Sequence, residues 1–76
     1  MATPLYQQIA TDIAEQIRSG VLKPGDRLPT TRQLMAHYDV SETVIRFVMI
    51  QLKAERLVYG QQGRGVYVSD SAGPSR

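Results

Sequence analysis

Seventy-six residues permit one domain with one modest core, since a chain this short buries only roughly 60% of the surface its unfolded form exposes. Nine Lys and Arg against seven Asp and Glu leave a net charge of +2, which suits a polyanionic partner without requiring one, so the placement of the cations has to decide. The absence of cysteine excludes a disulfide framework and thiolate metal sites, and neither a leader pattern nor a run of eighteen apolar residues occurs, so the expectation is a cytoplasmic chain with no membrane contact.

The pattern predicts a first helix opening at Pro4, whose missing N–H suits the first helical position, with Thr3 as its N-cap. Leu5, Ile9, Ile13 and Ile17 recur every four residues with Ala10 and Ala14 beside them, giving one apolar stripe. Ser19 and Gly20 end it, Val21 and Leu22 are expected to tuck under the core, and Lys23-Pro24-Gly25-Asp26 reads as a tight turn. A second helix starts from Thr30, with Gln33 three residues on in capping-box spacing and Leu34, Met35 and Tyr38 as its inner face. Asp39 and Val40 form the turn, and Ser41 caps a third helix running to about Arg56. Ile45, Val48, Met49 and Leu52 form the inward row of that helix, continued by Leu57, which leaves Thr43, Arg46, Phe47 and Ile50 outside.

Leu57-Val58-Tyr59 and Val66-Tyr67-Val68 are β-rich triplets around the loop Gly60-Gln61-Gln62-Gly63-Arg64-Gly65, the composition of a hairpin. The fold class expected is therefore mainly α with a small β-hairpin: a winged helix-turn-helix of three helices plus wing over residues 1–68, followed by a flexible tail or linker over 69–76. Such a unit lays the third helix in a DNA major groove and sends the hairpin along the neighbouring backbone.

The residues also carry a family resemblance. Pro4-Leu5-Tyr6 with Ile9, Ser19-Gly20 and Pro24-Gly25-Asp26-Arg27-Leu28-Pro29, then Arg32-Gln33-Leu34, Val40-Ser41, Thr43, Arg46, Leu52, Ala54-Glu55, Leu57-Val58 and Gly63-Arg64-Gly65 are similar, in order and in spacing, to the N-terminal domain of GntR-family regulators. The resemblance spans residues 4–68 and implies a sequence-specific DNA-binding transcriptional regulator, most often a repressor. It places DNA contacts on Arg32, Ser41, Thr43, Arg46, Gly63 and Arg64. The chemistry of those residues agrees: a planar guanidinium grips a guanine edge or a phosphate with two hydrogen bonds, and hydroxyls at a helix N-terminus suit phosphate. Ser41 is equally explained as an N-cap alone, and Lys23, Arg27, Lys53 and Arg56 rank second as backbone cations. The tyrosines read as core or rim residues, and His37 as a surface residue rather than a metal ligand.

Four departures from the family pattern matter. Glu42 stands where the family commonly has a groove-reading arginine, and Phe47 and Ile50 put large apolar groups on the outward face, which makes Glu42, Phe47 and Ile50 candidates for either a base or a partner contact. Arg56 replaces a favoured glycine near the end of the third helix, which is expected to shift the turn into the wing. The family also joins this domain to a larger effector-binding and dimerising domain, so no small-molecule effector site is expected in these 76 residues. Expected partners are double-stranded DNA and, since the family binds two half-sites as dimers, a second copy or another protein. The alternative is a protein-interaction module that uses the apolar patch of the third helix to bind another regulator. No paired carboxylates in a glycine-framed pocket, nucleophile with a base or phosphate-binding glycine loop is present, so neither an enzyme nor a cofactor or metal is expected.

Overall fold

In the computed structural model, which describes residues 4–70, the chain forms α1 (Leu5–Arg18), α2 (Thr31–Tyr38), α3 (Glu42–Ala54), β1 (Val58–Gln61) and β2 (Gly65–Val68). Pro4 is the N-cap of α1 rather than its first residue: its ψ of 144° is extended, and its carbonyl oxygen accepts from the Gln7 and Gln8 amides at 3.0 and 3.2 Å. A proline fits there as well as one residue later, because the cap position needs no N–H of its own. Thr3, the expected cap, lies outside the described residues. Ile9, Ala10, Ile13, Ala14 and Ile17 are buried, but Leu5 is 51% exposed. Helical side chains lean toward the N-terminus, so the first member of the stripe points past the end of the core. Val21 is likewise exposed at 69%, and Leu22 alone of that pair packs against the core.

The turn at 23–26 closes through Asp26 N–H to the Lys23 carbonyl (2.9 Å), the Lys23 N–H to Asp26 Oδ2 (2.9 Å) and Gly25 at φ +88°, the left-handed corner that follows a proline in a type II turn. From there the backbone runs beside β2: Gly25 N–H donates to the Val68 carbonyl, Val68 N–H to Asp26 and Leu28 N–H to Val66, all at 2.8–2.9 Å. This third edge, bridged at Arg27 and Tyr67, had no sequence signal, because so few residues between a turn and Pro29 show no alternation.

Both helices of the helix-turn-helix start as the sequence implies. Thr30 and Gln33 cap each other, backbone N–H to side chain, at 2.8 and 3.1 Å, and Ser41 Oγ accepts from Val44 N–H at 3.4 Å. Between them Asp39 takes a left-handed conformation (φ +57°). α3 ends at Ala54, earlier than expected, and Arg56 occupies φ +61° where glycine is favoured, so the left-handed corner into the hairpin is kept rather than shifted and is held by an arginine. β1 and β2 pair antiparallel from Val58↔Val68 to Gln61↔Gly65, which cuts the expected six-residue loop to residues 62–64. Ser69, assigned by sequence to the tail, donates its N–H to the Leu57 carbonyl at 2.9 Å; residues 71–76 lie outside the described residues.

α1 and α2 both pack on α3, and Ile45, Val48 and Leu52 are completely buried in one core cluster with Ile13 and Ile17 of α1, Leu34 of α2 and Leu57, Val58 and Val68 of the hairpin region. A polar link joins two of the helices near the edge of this arrangement. The Tyr38 hydroxyl donates to Asp12 Oδ2 at 2.5 Å, joining α2 to α1. Desolvation, then the hydrogen bond to Asp12, push the phenol up to about 12 from an ordinary value of 10.0. A raised folded-state value means that the neutral phenol stabilises the fold fully below pH 10 and that this contribution is lost as pH rises from 10 toward 12. Denaturant titrations across that window should show wild-type stability falling more steeply than that of Tyr38→Phe.

Candidate nucleic-acid interface

The helix-turn-helix exposes a stripe of mixed cationic and apolar residues, and the hairpin adds a second ridge. On α3, Arg46, Ile50 and Lys53 fall at spacings of four and three, hence on one exposed face. Ser41 and Thr43 stand exposed at its N-terminal end, where Ser41 Oγ already accepts the cap hydrogen bond from Val44 N–H and keeps its proton to donate outward to an anion. Arg32 is the second residue of α2, also exposed. Gly63 (φ +77°) and Arg64 form the hairpin tip, where Arg64 N–H donates to the Gln61 carbonyl at 2.9 Å. Arg32 and Arg64 enter no ion pair among the described residues. All six residues anticipated as DNA contacts are therefore accessible, and they come from three separate segments.

Arg46 has a partner that sequence reasoning did not pair with it. Its Nη2 donates to Glu42 Oε2 at 3.2 Å, an i,i+4 ion pair with both side chains well exposed. The signal was present in the spacing, since a glutamate four residues before an arginine is the favourable order on a helix. The pair gives the reversed charge at Glu42 a local role: its carboxylate aims the guanidinium along the helix face and also lies in the first turn, where the helix dipole favours it.

Phe47 and Ile50 are 50% and 57% exposed, as their positions implied. Phe47 is not bare, however, because the Tyr6 ring of α1 sits 5.7 Å from it in a tilted contact. Arg27 and Lys53, ranked low from sequence, are the residues whose setting was missed. Arg27 lies across Gly65, where a Cβ would meet its Nε at 2.9 Å, and Lys53 reaches over Gly60, where a Cβ would stand 3.5 Å from Nζ. No helix in the described residues is long and apolar enough to cross a membrane. No group of three His, Cys, Asp or Glu side chains among them is placed to hold a metal ion.

Comparison with known proteins fits this geometry. The family described as bacterial regulatory proteins, gntR family, matches residues 5–68. The chain is 45% identical over 67 residues to the mannosyl-D-glycerate transport/metabolism system repressor MngR of Escherichia coli K12, covering 88% of this chain and 28% of that protein. It is 32% identical over 71 residues to the HTH-type transcriptional repressor YtrA of Bacillus subtilis, covering 93% of this chain and 55% of the repressor. It thus spans about a quarter to a half of the length of these relatives. Among solved structures, AraR(DBD) in complex with operator ORR3 superposes with a TM-score of 0.86 at 32% identity, over 91% of this chain and 83% of that one. The three helices and hairpin are those of a winged helix-turn-helix.

Proposed function

We propose a function that proceeds from one premise: the chain belongs to the gntR family of bacterial regulatory proteins. On that footing it is the DNA-reading unit of a cytoplasmic transcriptional regulator that binds a specific duplex sequence and represses by occupying a promoter, not an enzyme. The observation that carries the reading is the exposed stripe of α3, with Thr43 and Arg46, set beside a glycine-turned hairpin bearing Arg64, on a backbone close to that of AraR(DBD) held on its operator. In this reading α3 enters the major groove, Arg46 and Thr43 meet base edges, and Arg32, Ser41, Gly63 and Arg64 meet the phosphate backbone. Selection of bound fragments from random duplex DNA should recover a consensus, and affinity for it should fall steeply with salt. Recovery of no consensus, with binding indifferent to salt, would overturn it.

A second reading rests on the exposed Phe47 and Ile50, one turn apart on α3 and continued by Tyr6: an apolar patch through which two copies, or this chain and another regulator, associate. Phe47→Ser separates the two. An interface predicts reduced self-association in sedimentation with unchanged duplex affinity, whereas a thymine-methyl contact predicts an altered base preference with unchanged mass.

A further inference from the structure

Between the C-terminal half of α3 and the hairpin runs an open groove of about 640 Å³, lined by Arg27, Lys53 and the segment 60–66. Its lining contains three cations, Arg27, Lys53 and Arg64, and no carboxylate. The neighbouring acids are engaged elsewhere: Asp26 Oδ2 accepts from the Lys23 amide, Glu42 holds Arg46, and Glu55 faces Arg18 and Gln51 on another side of α3. Neither Arg27 nor Lys53 has an ion-pair partner among the described residues.

The groove is also built at its floor. Gly65 (φ +127°) has no side chain, and the Arg27 guanidinium lies over that space; a Cβ there would stand 2.9 Å from Nε and 3.5 Å from Cζ and Nη2, and would push the guanidinium away. Lys53 passes over Gly60, where a Cβ would meet Nζ at 3.5 Å, an ordinary contact, so this side does not depend on the glycine. The backbone bridge from Arg27 to Tyr67 fixes the origin of the first cation on the hairpin itself, while Lys53, seven residues after Arg46, continues the exposed stripe of α3 to the same place. A smaller hollow shares Arg27, Gly65 and Val66 and leads past Met49 to Thr30 and Thr31, the start of α2, next to Arg32.

We propose that Arg27 and Lys53, with Arg64, form a clamp for the phosphodiester backbone of duplex DNA, seating one strand between α3 and the hairpin independently of base sequence. The proposal rests on the DNA-binding reading above and adds residues to it. The clamp has three roots, the bridged segment before α2, the end of α3 and the hairpin tip, so it fixes the angle at which the hairpin meets the duplex as well as adding attraction. Phosphate contacts of this kind set register and orientation, and the base contacts then act within that frame.

The test is fluorescence-anisotropy titration of two unrelated duplexes of about 20 base pairs between 50 and 200 mM KCl. Each neutralised phosphate contact contributes about 0.9 to the slope of log affinity against log salt, so Arg27→Gln and Lys53→Gln should each reduce the slope by about 0.9 and weaken both duplexes alike, by about eightfold at 0.1 M salt. Arg27→Lys, which keeps the charge, should retain the slope. Arg18→Gln, which removes the same charge on the Glu55 side of the molecule, should leave the slope unchanged. Circular dichroism melts confirm that each variant is folded at the titration temperature. Unchanged slopes for both glutamine variants in a protein that otherwise binds, or losses confined to one duplex, would overturn the clamp. If the wild type binds neither duplex at 50 mM salt, the DNA-binding reading fails first and the clamp falls with it.

Discussion

Arg46→Ala is expected to reduce discrimination between the selected duplex and a scrambled one by about 1–3 kcal/mol, the worth of one bidentate base contact, while leaving the melting temperature nearly unchanged. The two halves of that expectation have different sources. The Glu42–Arg46 pair is exposed on both sides, 63% and 68%, so an i,i+4 pair in this setting adds only about 0.3–0.5 kcal/mol to the fold, further screened by salt. Breaking it therefore does little to stability. Binding is another matter, because a guanidinium already held in one direction by a carboxylate loses less freedom when it meets a base edge. Glu42 also repels phosphates, so Glu42→Gln should tighten binding to both duplexes and narrow the difference between them. The double variant reports the coupling: if Glu42 acts by aiming Arg46, its effect on discrimination disappears once Arg46 is alanine. A loss on Arg46→Ala that is equal for the two duplexes would instead make Arg46 a backbone contact.

What could be read from sequence and what could not divides along the range of the forces involved. The caps at Thr30 and Ser41 were legible because capping is settled within four residues. The outward placement of Phe47 and Ile50 was legible because helical periodicity fixes a face. Periodicity does not say where the core ends, which is why Leu5 belonged to the stripe and yet stands exposed. The third edge at 25–28 exists only because β2 offers it hydrogen bonds from forty residues downstream, and no local pattern carries that information. The same holds for the site. Glu42 and Arg46 were one helical turn apart on the page, and the pairing rule was available. Arg27 over Gly65 was not, since the contact depends on the register Gln61↔Gly65 and on the isolated bridge that brings the segment before α2 against the hairpin. Arg56 shows the opposite error: a missing glycine suggested an altered corner, but the arginine takes the left-handed conformation itself.

That difference between pattern and packing can be measured with two leucines. Leu52 is fully buried in the core cluster that residues of all three helices and the hairpin share, and its carbonyl accepts the Leu57 N–H at 3.0 Å where the chain leaves α3. Leu52→Ala removes three carbons from the centre of the core, a change that costs about 2–5 kcal/mol depending on how far the cavity collapses. A domain this small has a total stability of only about 4–11 kcal/mol at roughly 0.05–0.15 kcal/mol per residue, so the variant should lose from about a fifth of it to all of it. For a chain of this size each kcal/mol shifts the melting temperature by about 4–8 °C, which puts the expected drop at roughly 8–40 °C. Leu5→Ala, in a residue whose sequence spacing places it in the same kind of apolar row, should change stability by about 0.5 kcal/mol or less, because its side chain is half in water already. Calorimetric melts of the two variants beside the wild type decide the matter. Equal losses would mean that α1 continues its burial through its first turn and that the core is longer than the described packing, whereas a large loss at Leu52 alone locates the centre of cohesion on α3, the helix whose opposite face carries the candidate DNA contacts.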